Sequence, residues 1–107
     1  MTRHEIINEI KEKTINFDAS GYSGFLAVQV TLCDLNEPFY VEIKDGKLSV
    51  EPYAYADRQA NLIISSANFK KLIDGKLNSV LAFTTGRLKI EGDIGKAKEL
   101  AGLFKAS

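Results

Sequence analysis

Between Phe25 and Val50 the side chains change character at every second position. Leu26, Val28, Val30 and Leu32 alternate with Ala27, Gln29 and Thr31; Phe39, Val41 and Ile43 alternate with Tyr40, Glu42 and Lys44. A period of two sends successive side chains to opposite faces of an extended chain, so each run predicts a half-buried strand. Asp45-Gly46 follows, a pair suited to the backbone of a tight hairpin turn, and Leu48 and Val50 resume the alternation beyond it. Three strands with short connections predict an antiparallel meander, apolar on one face and polar on the other.

The remaining segments predict helices and two more strands. Thr2 and Glu5 have the spacing of a capping box, and Ile6, Ile7, Ile10 and Thr14 share one face, which predicts a helix from about Arg3 to Ile15. Phe17 to Gly24 is rich in turn formers. Pro52 to Asp57 reads as a loop or edge segment, because Pro52 has no N–H for a ladder and Tyr53 and Tyr55 alternate with alanines. A fourth strand is expected from about Ala60 to Ser65. Ser65 or Ser66 then caps a short helix bearing Phe69, Leu72 and Ile73, ended by Gly75. Asn78 caps a second one bearing Val80, Leu81 and Phe83, closed by Gly86. Leu88 and Ile90 alternate with Arg87, Lys89 and Glu91 in a fifth strand. Asp93 caps a final helix with Ile94, Ala97, Leu100, Ala101, Leu103 and Phe104 on one broad face and Lys98, Glu99 and Lys105 opposite.

Composition narrows the class of activity. The 107 residues are 45% hydrophobic and 26% charged, close to average globular usage, which suits one domain over residues 1–107. No apolar run approaches the ~20 residues of a membrane span, and the polar start Thr2-Arg3-His4-Glu5 does not read as a signal peptide, so a cytoplasmic protein is expected. The single cysteine, Cys33, excludes an internal disulfide and a multi-thiolate metal site, and is expected to be a small buried apolar residue. Net charge is zero, but Met1 to Glu51 carries 5 basic and 9 acidic side chains and Pro52 to Ser107 carries 9 and 5. That split reads first as attraction between the halves, and second as a surface for an anionic partner.

Catalytic chemistry needs proton-exchanging or nucleophilic groups within reach of one another. The only histidine, His4, sits in the first helical turn, where solvation is its expected role. Gly21-Tyr22-Ser23-Gly24-Phe25 lacks the second glycine of a nucleophile elbow in register and precedes a strand where that motif follows one. Asp57, Glu91 and Asp93 are scattered. No catalytic set, metal site or cofactor is predicted. Gly92-Asp93-Ile94-Gly95-Lys96 has the outline of a GXXG phosphate clamp, but it follows a strand and holds a repelling carboxylate in a neutral chain, so no nucleic-acid partner is expected.

One block remains distinctive: Gly75-Lys76-Leu77, then Ala82-Phe83, then Gly86-Arg87-Leu88-Lys89-Ile90-Glu91-Gly92-Asp93. In order and approximate spacing it resembles the sterol carrier protein 2 (SCP-2) family, and the similarity extends from about Phe25 to Leu103. The resemblance implies an α/β (α+β) fold: a five-stranded mixed sheet in the order 3-2-1-4-5, strands 1 and 4 parallel, with helices covering one face around an apolar tunnel. Here the N-terminal portion is reduced to one helix and no helix is visible between Val50 and Ala60, so that connection must be short. The tail Lys105-Ala106-Ser107 is not of the peroxisomal Ser-Lys-Leu type.

The function implied is non-enzymatic binding or transfer of a lipid: a fatty acid, an acyl chain or a sterol-like molecule. The residues expected to line the cavity are Phe69, Leu72, Ile73, Leu77, Val80, Leu81, Phe83, Leu88, Ile90, Leu100, Leu103 and Phe104. Lys70, Lys71, Lys76, Arg87 and Lys89 are expected to meet a headgroup or an anionic membrane surface, and a homodimer stays open. An empty tunnel of ~400 Å³ would cost on the order of 10 kcal/mol, so collapse, water or an apolar guest must relieve it. The alternative is a filled core on the same fold, serving protein interaction or self-association, or an acyl-presenting subunit of an enzyme.

Overall fold

The computed structural model describes residues 2–14 and 24–106, with side chains described through residue 102. The expected turn at Phe17 to Ser23, and the Leu103, Phe104 and Lys105 side chains, lie outside the described residues. In chain order the elements are α1 (Arg3–Lys13), β1 (Leu26–Leu32), β2 (Glu37–Lys44), β3 (Lys47–Glu51), β4 (Ala60–Ile64), α2 (Ser66–Ile73), α3 (Ser79–Thr84), β5 (Leu88–Gly92) and α4 (Ile94–Ala106).

The strands form one sheet in the order β3-β2-β1-β4-β5, with β1 and β4 parallel and the other neighbours antiparallel. Register follows the alternation of the sequence. Val30 stands opposite Phe39 on one side and Leu62 on the other, and Leu62 stands opposite Ile90. Every second residue of the sheet therefore points to one common face. The Asp45-Gly46 turn between β2 and β3 has φ of 53° and 75°, the doubly left-handed backbone that twists with the strands it joins.

Helices cover that face. Ile6, Ile7 and Ile10 of α1 are buried, and the capping box at Thr2 and Glu5 starts the helix as expected. The helix stops at Lys13, where the Thr14 hydroxyl donates to the Ile10 carbonyl at 2.7 Å. Phe69 of α2 meets Phe39 of β2 edge to face, ring centres 5.6 Å apart, in the middle of the core. Ser65 caps α2 by accepting from the Asn68 N–H. An ion cluster fastens α1 to α2: the Lys70 ammonium lies between the Glu9 and Asp74 carboxylates, at 2.8 Å from Asp74 Oδ2, and Lys13 lies 3.6 Å from Asp74. These partners hold the Asp74 carboxyl below and the Lys70 amine above their ordinary ranges.

Two expectations are corrected. β1 is buried on both faces, not one: Ala27 is fully buried and Gln29 nearly so. The cause is the connection from β3 to β4, residues 52–59, which packs against the polar face. The Tyr55 N–H donates to Gln29 Oε1 at 3.0 Å, its ring stands 4.9 Å from that of Tyr40, and its hydroxyl donates to Glu42 at 2.7 Å, which pushes the phenol pKa up to about 12. Cys33 is exposed, because β1 ends at Leu32 and Cys33 begins the turn into β2. Its N–H still donates to Ile64 O at 3.0 Å, which leaves the side chain outside.

Two side-chain arrangements lock distant segments. Gly92 ends β5 at φ 87°, and a Cβ there would stand 2.6 Å from the Gln59 carbonyl oxygen, the acceptor for the Asp93 N–H. Asp34, in the β1–β2 turn, accepts from the Ser66 N–H at 2.8 Å and from the Ser66 hydroxyl at 2.5 Å, and these bonds hold its carboxyl below the ordinary aspartate range.

Gly92→Ala is expected to destabilise the fold by about 2–3 kcal/mol through left-handed strain plus backbone collision, whereas Gly102→Ala in α4 gains about 0.5–1 kcal/mol, as urea titrations of both variants will read. A depressed folded-state pKa means that the ionised Asp34 contributes stability above the unfolded value and loses it as pH falls through the folded one. Side-chain NMR titration is expected to place Asp34 below a model aspartate, and Ser66→Ala to move it upward; an unchanged pKa in that variant would contradict the assigned cause.

Candidate functional site

The apolar cover over the sheet is incomplete at one end. Between α3, α4 and the β4–β5 edge lies a cavity of about 260 Å³. Its floor is the apolar face of the strands, Leu62, Leu88 and Ile90, and Leu72 of α2 closes one side. α3 contributes Ser79, Val80 and Phe83; α4 contributes Ile94, Ala97, Lys98 and Ala101. The space exists because of residue size. Ala97 and Ala101, four residues apart, are both buried on the face of α4 that meets the sheet, and two methyl groups cannot fill what two leucines would.

α3 itself is fastened lightly. Asn78 caps it, its side-chain oxygen accepting from the Val80 and Leu81 N–H groups at 2.8 and 3.2 Å, and Gly75 and Gly86 flank it with left-handed φ of 74° and 80°. Of its side chains only Ala82 reaches the core. Val80 and Phe83 therefore stand beside the cavity with much of their surface in water.

The expected lining residues divide by depth. Leu72, Val80, Phe83, Leu88 and Ile90 border the cavity. Phe69, Ile73 and Leu100 are sealed in the core beneath it, and Leu77 is partly buried against that core. Leu81 points away into solvent. Leu62, Ser79, Ile94, Ala97, Lys98 and Ala101 border the cavity without having been singled out as its lining. For α4 a signal was present: Ile94, Ala97 and Ala101 belong to its apolar stripe.

The basic residues divide as well. Lys98, expected on the outer face of α4, is exposed and also borders the cavity, one turn after Ile94, where it is the only charged side chain among the described lining residues. Lys70 is committed to the α1–α2 ion cluster. Lys89 stands opposite Ile63 on the sheet face turned away from the cavity. Lys71, Lys76 and Arg87 are exposed. Among the described residues no three His, Cys, Asp or Glu side chains gather as a metal site, and no helix is long and apolar enough to cross a membrane.

Comparison with known proteins agrees with this architecture. The sequence model of the SCP-2 sterol transfer family matches residues 3–105. The chain is 36% identical over 73 residues to a fatty acid-binding protein of Yarrowia lipolytica, covering 64% of this chain and 55% of that one. It is 36% identical over 63 residues to sterol carrier protein 2 of Homo sapiens, covering 59% of this chain and 12% of that one. It thus spans about half the length of the first relative and a small part of the second. The solved structure of palmitated SCP2L2 from Aedes aegypti has the same fold, with a TM-score of 0.69 at 20% identity over 97% of this chain and 95% of that one. With five strands in the order β3-β2-β1-β4-β5 under four helices among the described residues, and a family match over nearly its whole length, the chain belongs to the SCP-2 sterol transfer family.

Proposed function

We propose that the protein binds and carries a single fatty acyl chain, tail in the cavity and carboxylate at Lys98, without turning it over. The observation that carries this reading is an apolar hollow whose one charged wall residue, among those described, is a cation. The hollow opens to water at its mouth, and a hydrocarbon guest would take apolar surface out of water there, each buried methylene contributing about 0.8 kcal/mol before association costs. The cavity lies just under the ~300 Å³ at which pockets for drug-sized ligands begin, which favours one slim chain over a fused-ring sterol. Membership of the lipid-binding family and the 36% identity to a fatty acid-binding protein support the class of ligand.

Calorimetric titration with palmitate tests the proposal. Ala97→Leu is expected to fill the cavity and weaken palmitate binding at least tenfold (~1.4 kcal/mol) while leaving the unliganded fold equally or more stable. Lys98→Gln is expected to weaken palmitate roughly fivefold but leave the uncharged alcohol of the same chain length unaffected. Wild-type protein that takes up neither ligand would remove the carrier role and leave the fold assignment standing.

A further inference from the structure

α3 presents large apolar side chains that the fold leaves in water: Val80 is 62% exposed, Leu81 61% and Phe83 45%, with Ile94 at the start of α4 at 46%. Val80, Phe83 and Ile94 border the cavity, so their exposure belongs to its mouth. Leu81 does not border it, and carrying a ligand gives it no reason to be there.

The charge along α3 and its flanks has one sign. From Gly75 to Ile90 the chain holds Lys76, Arg87 and Lys89 and no carboxylate, and Lys98 stands on the cavity wall. Lys89 faces the other side of the sheet, while Lys76 and Arg87 immediately flank α3. Of the carboxylates bounding this stretch, Asp74 pairs with Lys70 and Lys13 and Glu91 lies with Asn61 on the far sheet face, while Asp93, accepting from the Lys96 N–H as the cap of α4, is the acidic group next to Ile94.

We propose that α3 docks the protein onto an anionic bilayer surface, with Leu81 immersed among the acyl chains, Lys76 and Arg87 at phosphate level, and the cavity mouth facing the lipid. Charge decides the occupant. Two copies meeting through this patch would bring like charges together, whereas an anionic surface complements them. A six-residue helix suits shallow insertion at an interface. The mouth opening into the same patch adds a reason: a chain passing from bilayer to cavity would never expose its methylenes to water. That last point rests on the carrier reading, whereas the docking rests on the patch and its charge.

Co-sedimentation with phosphatidylcholine vesicles, with and without phosphatidylserine, tests the docking. Wild type is expected to bind the phosphatidylserine vesicles, weakening as salt rises. Leu81→Asp should lower that binding at least tenfold, and Lys76→Gln and Arg87→Gln about fivefold each. Lys47→Gln, in the β2–β3 hairpin, should change nothing. Because Leu81 borders no part of the cavity, Leu81→Asp should keep its melting temperature and its solution affinity for palmitate. Vesicle binding without palmitate binding supports the docking and removes only the carrier role. Equal binding by wild type and Leu81→Asp, no preference for phosphatidylserine, or a Leu81-dependent dimer without vesicle binding would each overturn it.

Discussion

One sheet face imposes its demand on the whole molecule. Alternate residues of five strands point to the same side, from Val50 at one edge through Val41, Val28 and Leu62 to Ile90 at the other, and this surface must be kept from water. The helices answer it unequally. Over β1, β2 and β4 the large side chains of α1, α2 and α4 interdigitate with the strands, and Ile6, Phe69 and Leu100 have no exposed surface. Over the β4–β5 edge the cover thins to alanines on α4 and a helix of six residues. Close packing at one end and a hollow at the other are two outcomes of the same constraint, met with large side chains in one place and small ones in the other.

The opposite face obeys a different logic. Here the strands carry Gln29, Thr31 and Asn61, which would be costly to bury without partners. They are joined in a row: Gln29 Nε2 donates to the Thr31 hydroxyl, the hydroxyl donates to Asn61 Oδ1, and Asn61 Nδ2 donates to Glu91. Gln29 uses its oxygen on the Tyr55 backbone, and Gln59 bridges the entry of β4 to Ala27 through both its main chain and its side chain. A short irregular connection can therefore lie against this face and join β3 to β4, two strands that run in the same direction, in place of a crossover helix. The cover is bought with hydrogen bonds, not with apolar area.

Both halves of the charge asymmetry find a place in this arrangement. Glu9 from the acidic half meets Lys70 from the basic half between α1 and α2, and Arg3 lies 3.3 Å from Glu37 where α1 approaches β2. Of the remaining cations, Lys76 and Arg87 flank α3 and Lys98 stands on the cavity wall, away from these pairs. Positive charge and exposed aliphatic side chains thus occur together at α3, for separate reasons of packing.

Periodicity was enough to determine the elements. The strands lie where residues alternate, Thr2, Ser65, Asn78 and Asp93 begin the helices, and the hairpin turns at Asp45-Gly46. These are local properties: capping oxygens, left-handed glycines and side-chain period act within a few residues of chain. The block from Gly75 to Asp93 carried the family and with it the strand order. What no local pattern contained was depth. Phe69, Leu72 and Ile73 share one helical stripe, yet only Leu72 reaches the cavity; Leu81 and Ala82 are neighbours, yet one faces water and the other the core. Lys98 read as an outer-face residue because the helical wheel does not show that α4 borders empty space on that side. Sequence alone determined which residues are extended or helical and which side of each element is apolar; whether an apolar side is sealed or left open depends on the volumes that three or four distant elements bring to one point, and only the tertiary structure sums them.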